Sequence, residues 1–295
     1  MTDLAKETRA ELRRLYAVYL PTIKKSVKSR DGTRKYLFSL KDGKLIESVL
    51  LKDGTGRKTI CLSTQVGCKL NCSFCATGSS GFQRNLTPAE IIGQVYRIAE
   101  GGPDISNIVY MGMGEPFLNY GNVIKSLQLL TSEEGANFGQ RKITVSTCGI
   151  PEGIMTFADQ ELQIRLAVSL NSADDKVRSI LMPINRKHPL AALREAIIYY
   201  QQKSGRRVTL EYVMLDGVND RQVDLQAMRK FCEGLDVHVN LIPFNPFGNK
   251  YHPSKRAAIH HFLNGLAAAK INAVMRQSKG QDILAACGQL AGKAA

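Results

Sequence analysis

The sequence has no apolar stretch long enough to cross a lipid bilayer. A membrane-spanning helix needs about 20 consecutive apolar residues, and charged or strongly polar side chains interrupt every apolar run of this chain before that length. The first residues, Met1-Thr2-Asp3-Leu4-Ala5-Lys6, also lack the apolar segment of a secretory signal. These absences predict a cytoplasmic protein without membrane association.

Linkers and low-complexity segments are absent as well. At 295 residues, 44% of them hydrophobic, the chain can bury one large core. Disulfides are rare in the reducing cytoplasm that the missing signal predicts. The seven cysteines are therefore predicted to be metal ligands, redox-active thiols or buried structural thiols, the last role falling by default to Cys148 and Cys232.

Acidic residues are scarce relative to basic ones. The chain has 26 Asp and Glu against 40 Lys and Arg, a net charge of +14. Residues 1–60 hold 15 of the basic and 7 of the acidic side chains, with the basic ones clustered at 24–30 and 34–35. A basic segment can contact the phosphates of a nucleic acid. It can equally be a solvated face, and both interpretations stay open on charge alone.

Three cysteines, Cys68, Cys72 and Cys75, have C-x3-C-x2-C spacing. Short loops of cysteine thiolates are the usual ligands of four-iron clusters, and three ligands leave one iron open to a small molecule. A zinc site needs a fourth ligand, but the next cysteine is Cys148 and the nearest histidine is His188. The spacing favours an iron–sulfur cluster over zinc or a group of reduced core thiols.

From residue 59 onward, short apolar runs alternate with helical segments. Six runs predict strands, at residues 59–62, 108–111, 143–146, 166–170, 208–212 and 238–242. Helices are predicted at residues 88–100, 123–132, 151–160, 190–203 and 220–234. Such repetition gives right-handed crossovers and a parallel sheet with ligand sites at the C-terminal strand ends. The predicted fold class is α/β, with six units rather than the eight of a closed barrel.

The residues ahead of this repetition predict a helix and a hairpin. One helical face of the first twenty residues carries the apolar side chains Leu4, Leu12, Leu15 and Tyr16. Two strands at residues 36–40 and 45–51 flank a turn that contains Asp42-Gly43, a favoured hairpin sequence.

Two loops together resemble those of the radical S-adenosylmethionine (SAM) enzymes: the cysteine triad with Phe74 before its last member, and Met111-Gly112-Met113-Gly114-Glu115-Pro116. Two segments are similar to the RlmN/Cfr family of RNA adenosine methyltransferases, Cys61-Leu62-Ser63-Thr64-Gln65-Val66-Gly67-Cys68 and Ala285-Ala286-Cys287-Gly288-Gln289-Leu290. Within that family, residues 114–116 and 240–246 resemble the RlmN branch. The resemblance extends from about Lys35 to about Gly292.

The resemblance implies a partial (β/α)6 radical SAM barrel at residues 59–295, preceded at residues 1–58 by a short N-terminal helix and a β-hairpin. It implies a [4Fe-4S] cluster on Cys68, Cys72 and Cys75, and two SAM molecules per turnover. By the same resemblance, the residues that contact SAM are Gly114, Glu115, Ser146, Ser169, Leu170, Asn171 and Asn245. Each lies at or just beyond the end of a predicted strand, although Ser146 or Asn171 alone could be a helix cap.

The resemblance assigns the remaining chemistry to Glu47, Cys61 and Cys287. Carbon 2 of adenine is an electron-poor C–H position, so the electrophilic methyl group of SAM does not transfer to it directly. The family's route loads a methyl group onto the Cys287 thiolate, removes a hydrogen from it with a 5′-deoxyadenosyl radical from a second SAM, and adds the carbon radical to adenine. Glu47 then takes the ring proton, and Cys61 attacks the Cys287 sulfur, leaving a disulfide.

The implied partners are 23S rRNA, with tRNA as a second target, an electron donor such as flavodoxin or ferredoxin, and a disulfide reductant for a monomeric enzyme. Family members carry a helical domain ahead of the hairpin, where this sequence has about 34 residues. Three alternatives stay open: Cfr-type methylation of carbon 8, a radical SAM enzyme with a non-RNA substrate, and a non-catalytic RNA-binding protein. The second thiol pair argues against the last two.

Overall fold

The computed structural model describes residues 4–15, 19–100, 102, 104–248 and 250–292. The strands within these ranges are β1 (Thr22–Lys28), β2 (Arg34–Ser39), β3 (Leu45–Lys52), β4 (Lys58–Cys61), β5 (Gln65–Gly67), β6 (Phe82–Asn85), β7 (Asn107–Tyr110), β8 (Ile143–Thr147), β9 (Arg165–Ser169), β10 (Val208–Met214), β11 (Val237–Pro243) and β12 (Asn272–Met275). Ten of them form one sheet, in the order β1-β2-β3-β4-β7-β8-β9-β10-β11-β12, and β5 and β6 form a separate hairpin.

Helices connect most of the parallel strands. Those in the described ranges are α1 (Lys6–Leu15), α2 (Ala76–Ser79), α3 (Pro88–Ala99), α4 (Tyr120–Thr131), α5 (Pro151–Ala158), α6 (Asp175–Leu181), α7 (Leu190–Ser204), α8 (Gln222–Cys232) and α9 (Arg256–Ala268). The sequence explains where α3 begins, because Thr87 and Glu90 form a reciprocal capping box and Pro88 occupies the first turn. No helix among the described residues is long and apolar enough to cross a membrane.

The parallel part of the sheet comprises β4 and β7 to β12. Most of its apolar side chains are buried, because parallel strands in such folds are covered on both faces; those with no exposed surface include Ile60, Ile108, Val145, Leu166, Leu210 and Val239. Val49 of β3, Cys61 of β4 and Ile242 of β11 line one cavity. Side chains from distant strands meet there only if the sheet curls, so the sheet forms a partial barrel.

The antiparallel part continues the same sheet beyond β4. Strand β3 pairs with β4, with Val49 opposite Cys61, and β1 and β2 add two further antiparallel strands. The hairpin predicted from Asp42-Gly43 is confirmed as β2 and β3, with Gly43 at a φ of 78°. The predicted division at residue 58 falls at the beginning of β4, between two hydrogen-bonded strands, and stays a prediction.

The structure confirms the α/β class and all six predicted parallel strands, with ends shifted by one or two residues. It adds a seventh parallel strand, β12, and an edge strand, β1, neither of which was predicted. The helix predicted for the first twenty residues is present over α1. Tyr16, assigned to its apolar face, lies outside the described residues.

Candidate active site

The segment that carries the cysteine triad, residues 68–77, which we name the cluster loop, begins at a tight turn. Gly67 adopts a φ of 74°, and a Cβ at this position would lie 1.8 Å from the carbonyl oxygen of Gly81. Only glycine permits such an approach, which lets the N–H of Cys68 donate to that oxygen at 2.9 Å. The turn therefore fixes the first cysteine directly after β5, near the C-terminal end of β4.

All three cysteines line a common cavity, and Cys148 lines it with them. Burial raises the pKa of the Cys68 thiol to about 12 and raises that of Cys75 as well. The neighbouring Cys72 thiol and burial together raise the pKa of Cys148. Thiols become thiolates when they ligate a metal, so iron would have to supply the positive charge that overcomes this burial.

These residues fit a four-iron cluster better than a single ion. No three His, Cys, Asp or Glu side chains of the described ranges converge on a position for one metal ion. Cluster ligands are held around a cube of irons and sulfides rather than around one point, so three spaced thiols on one wall of a cavity are the arrangement that a cluster requires.

Opposite the cysteines, the cavity is walled by the ends of the parallel strands. Gly114, Glu115, Ser146, Ser169 and Asn171 all line it. Neither Ser146 nor Asn171 caps a helix, since α5 begins after Ile150 and α6 after Asp174.

The remaining two residues predicted to contact SAM lie elsewhere. Leu170 is fully buried in the core and does not line the cavity. Asn245 lines a neighbouring cavity instead. Their contact with SAM, like that of the other five residues, stays a prediction.

The Glu115 carboxylate is fully buried and holds the two sides of this wall together. It accepts hydrogen bonds from the backbone N–H groups of Phe117, at 3.0 Å, and Cys148, at 2.7 Å. Burial raises the pKa of Glu115, and these hydrogen bonds oppose that rise. The carbonyl of Cys148 in turn accepts from buried Arg178 at 2.7 Å. The backbone beside the cluster thiols is thus held from both sides.

The neighbouring cavity holds the second thiol pair. Cys61, at the end of β4, and Cys287 both line it, together with Asn245 and Arg276. The Asn245 side chain donates to the carbonyl of Cys287 at 3.2 Å. Burial raises the pKa of Cys61 to about 12, and the nearby Cys287 adds to the rise. Cys75 and Cys287 line both cavities, so the thiol pair lies beside the cluster loop.

Residues 280–292, which we name the C-terminal strap, run across these cavities. The strap bonds to the cluster loop through Ala76 N–H to Gly288 O at 2.7 Å and through Thr77 Oγ1 to Leu290 O at 2.6 Å. It bonds to the turn between β1 and β2 through Gly280 N–H to Asp31 Oδ2 at 2.8 Å.

Glu47, on β3, is held by the strap and does not line either cavity. Its Oε2 accepts from the N–H groups of Ala291, at 2.7 Å, and Gly292, at 3.0 Å. Its Oε1 pairs with Lys35 Nζ at 3.0 Å, and the side chain is 3% exposed. In this arrangement the predicted proton acceptor is fully partnered.

Cys148, Glu211 and Arg276 were not predicted to lie at these cavities. Cys148, predicted to be a buried structural thiol, packs against the apolar cluster that contains Cys72, whereas Cys232, given the same role, is buried in the main core. Glu211 and Arg276 line the cluster cavity, with Nη1 of the arginine 3.9 Å from Oε2 of the glutamate. Glu211 could have been found from the sequence, because it is a lone carboxylate within the apolar run 208–214. Arg276 could not, because it follows β12, a strand that was not predicted.

The partial barrel and its three-cysteine cavity define a radical SAM enzyme. The model of the Radical SAM superfamily matches residues 62–227. The crystal structure of a radical SAM methyltransferase from Sphaerobacter thermophilus superimposes with a TM-score of 0.94 at 44% identity, over 99% of this chain and 87% of that one. The structure of Streptococcus suis SuiB bound to S-adenosylmethionine, at a TM-score of 0.53 and 14% identity over 78% of this chain and 53% of that one, shares the fold alone.

Sequence relatives narrow the class. The probable dual-specificity RNA methyltransferase RlmN of Thermotoga neapolitana is 47% identical over 292 residues, 98% of this chain and 85% of the relative. The protein of the same description from Heliobacterium modesticaldum is 50% identical over 277 residues, 90% of this chain and 72% of the relative. The chain belongs to the RlmN family of radical SAM methyltransferases, and this family implies a [4Fe-4S] cluster and SAM.

Proposed function

We propose that this protein methylates carbon 2 of an adenosine in 23S rRNA, and in tRNA as a second target, through a methyl group carried on Cys287. The proposal rests on the position of Cys287, which lines both the cavity with the cluster thiols and the cavity with Cys61. An enzyme that only abstracts hydrogen needs no such thiol pair. The relatives' description as dual-specificity RNA methyltransferases supports an RNA substrate.

When bound, the cluster and SAM supply a methyl group for a polar transfer and a radical for hydrogen abstraction. Cys68, Cys72 and Cys75 would hold the cluster, and the strand ends that include Ser146 and Ser169 would hold SAM. Cys287 presents the methyl group at the boundary of the two cavities. Cys61, in the same cavity, displaces the sulfur of Cys287 and releases the product.

Glu47 takes the proton from the adenine ring in this proposal, which requires the strap to move. Its Oε2 already accepts two backbone N–H groups of the strap, and Oε1 pairs with Lys35. Entry of a flipped-out adenosine between β3 and the strap would break these contacts and expose the carboxylate; flipping itself costs a few kcal/mol.

The finer requirements belong to the same proposal. Two SAM molecules are used per turnover, one for each stage. A flavodoxin or ferredoxin supplies the electron, and a cytoplasmic thiol reductant reopens the Cys61–Cys287 disulfide before the next cycle. The enzyme acts as a monomer.

Mass spectrometry of nucleosides tests the proposal. rRNA and tRNA from cells that lack the modification are incubated anaerobically with cluster-loaded protein, SAM and a reductant, and then digested. We expect 2-methyladenosine, and none with the Cys287→Ala variant. Formation of 8-methyladenosine would replace the proposal with the Cfr-type reaction, and SAM cleavage without any methylated nucleoside would indicate a non-RNA substrate.

A further inference from the structure

We propose that Arg276 is a positioning residue for the second thiol pair: its guanidinium, held in place by Glu211, stabilises the sulfur anion of Cys61 in the cavity shared with Cys287. The inference deepens the proposed function and rests on it for its purpose, because formation of the disulfide requires Cys61 as a thiolate. The thiol proton leaves to solvent, and no bond other than S–H is broken in this step.

The backbone places Arg276 between the two cavities. It follows β12 directly, and its N–H donates to the carbonyl of Leu241 on β11 at 2.8 Å. Its side chain is 31% exposed and lines both cavities. The short strand that precedes it therefore delivers a permanent positive charge to the wall between the cluster thiols and the second thiol pair.

Glu211 holds the guanidinium of Arg276 in place without accepting hydrogen bonds from it. Its Oε1 accepts from the side chain of Asn240 at 3.0 Å, which orients the carboxylate. Its Oε2 is buried, has no hydrogen-bond partner among the described residues, and lies 3.9 Å from Nη1 of Arg276. The distance is too long for a hydrogen bond. Electrostatic attraction to Glu211 therefore holds the guanidinium, and the N–H groups of the guanidinium stay available to the sulfur atoms of Cys61 and Cys287.

Cys61 needs such a partner because most of its surroundings disfavour a negative charge. The cavity walls from β3, from β7 and the residue after it, and from β11 are apolar, with Val49, Val109, Met111 and Ile242 among the lining residues. Burial raises the pKa of Cys61, the nearby Cys287 raises it further, and Arg276 opposes both. The pKa of Arg276 is raised in turn, chiefly by Cys287, with smaller contributions from Glu211 and Cys61, while burial opposes the rise.

The other titratable groups that line the cavity are Cys75 and Lys279. Lys279, the second cation of that wall, contributes to none of the shifts at Cys61 or Arg276. It is therefore a matched control for the loss of one positive charge from the same cavity.

Alkylation of the cluster-loaded protein under anaerobic conditions measures the thiolate directly. Protein is pulsed with iodoacetamide between pH 7 and 10, quenched and digested, and the Cys61 peptide is quantified by mass spectrometry. Only the thiolate reacts, and an opposite charge close by shifts such an equilibrium by about one pH unit or more. We expect Arg276→Gln to slow alkylation of Cys61 about tenfold throughout this range. Arg276→Lys should restore most of the rate, and Lys279→Gln should leave it unchanged.

Two results would overturn the inference: an unchanged rate in Arg276→Gln, or an equal loss in Lys279→Gln. Iron content and thermal unfolding show whether Arg276→Gln is still folded. If it is not, the test is the rate of Cys61 alkylation in Arg276→Lys relative to that in Lys279→Gln. Slow alkylation in Arg276→Lys then overturns the inference. Alkylation needs neither RNA nor methyl transfer. A chain that failed to methylate RNA would therefore contradict the proposed function and leave this result standing.

Discussion

The backbone N–H of Ala76 donates to the carbonyl of Gly288 at 2.7 Å. Each of these residues directly follows a cysteine, Cys75 of the cluster loop and Cys287 of the strap. This hydrogen bond, with that from Thr77 Oγ1 to Leu290 O, joins the loop predicted to hold the metal to the segment predicted to carry the methyl group.

Loss of one cluster ligand should abolish the cluster. In Cys72→Ala, only two triad thiols remain on the cavity wall, too few to hold about four irons. The iron and sulfide content of the variant, measured anaerobically, should fall to a small fraction of the parent's value, and SAM cleavage should stop. Cys232→Ala is the control, because that thiol is buried in the core away from the cavity; it should keep its iron. A full cluster in Cys72→Ala would contradict the assignment.

Removal of Cys61 should trap the RNA on the protein. Cys61→Ala leaves the methyl-loaded Cys287 able to add to adenine, but the other thiol of the cavity, Cys75, is predicted to be a cluster ligand and cannot displace its sulfur. A covalent protein–RNA band is expected on denaturing gels, absent from the Cys61→Ala/Cys287→Ala double variant. Methylated adenosine at the parent's rate, without such a band, would exclude Cys61 from the reaction.

The basic segment around β1 should form part of the RNA grip. Lys24, Lys25, Lys28 and Arg30 all expose their side chains, although lysines on an edge strand can also serve to prevent strand pairing. Neutralising these four should weaken RNA binding and flatten its dependence on salt, because phosphate contacts release counterions.

The matched control neutralises four other basic residues that are also exposed, Lys203, Arg207, Arg229 and Lys230. They lie near the N-terminal ends of β10 and β11, opposite the strand ends that line the cavities. SAM cleavage without RNA should not change in either variant. Equal losses of RNA affinity in both would show that only net charge matters.

Glu47→Gln should loosen the C-terminal strap. The amide has one oxygen in place of two, so either Lys35 or the N–H groups of Ala291 and Gly292 lose their acceptor. Hydrogen bonds to a charged group contribute about 1.5–3 kcal/mol, and we expect amide hydrogen exchange at 291–292 to accelerate roughly 10- to 100-fold. Exchange within β8 is the internal reference. Unchanged protection at 291–292 would show that other contacts hold the strap.

The attachment of the strap to Asp31 should weaken in acid. Partial burial disfavours the Asp31 charge, but hydrogen bonds from the N–H groups of Gly280 and Thr33 outweigh it and lower the pKa to about 2. A lowered pKa stabilises the fold above the unfolded-state value, about 3.9, and this contribution is lost as pH falls towards 2.

Unfolding free energies of the parent and of Asp31→Asn, measured between pH 5 and 2, test this prediction. The parent should be more stable by less than about 1 kcal/mol at pH 5, because Asp31 is solvent-screened, and the difference should shrink towards pH 2. A difference that stays constant over this range would contradict the prediction.

Two of the strands that the sequence failed to predict, β1 and β12, have no fully buried side chains. Strand β5, which was also missed, is buried but only three residues long. Strand β12 has the alternating sequence Asn272-Ala273-Val274-Met275 at a sheet edge, with Asn272 and Val274 exposed, and β1 is largely basic and exposed. Hydrophobic periodicity detects burial rather than hydrogen bonding, so edge strands of this kind leave little trace. The six central strands were predictable because burial on both faces demands continuous apolar runs.

The same distinction applies to the site. The cysteine triad could be predicted because its three thiols are close together in sequence. Cys61 and Cys287 were assigned only through the family resemblance. The pairing of Glu211 with Arg276 depends on the register of β10, β11 and β12, which no local pattern specifies. The capture of Glu47 by the strap likewise depends on how the curled sheet brings β3 under residues 291–292.

The strap also bears on the order in which the molecule folds. Its contacts join residues far apart in sequence: 249 positions separate Gly280 from Asp31, and 245 separate Gly292 from Glu47. Contacts between residues so far apart in sequence form late in folding, because a long loop must close before they contribute to stability. During synthesis the barrel strands and the cluster loop emerge first and can fold. We therefore expect the strap, with the cysteine predicted to accept the methyl group, to dock last, onto a barrel that has already folded.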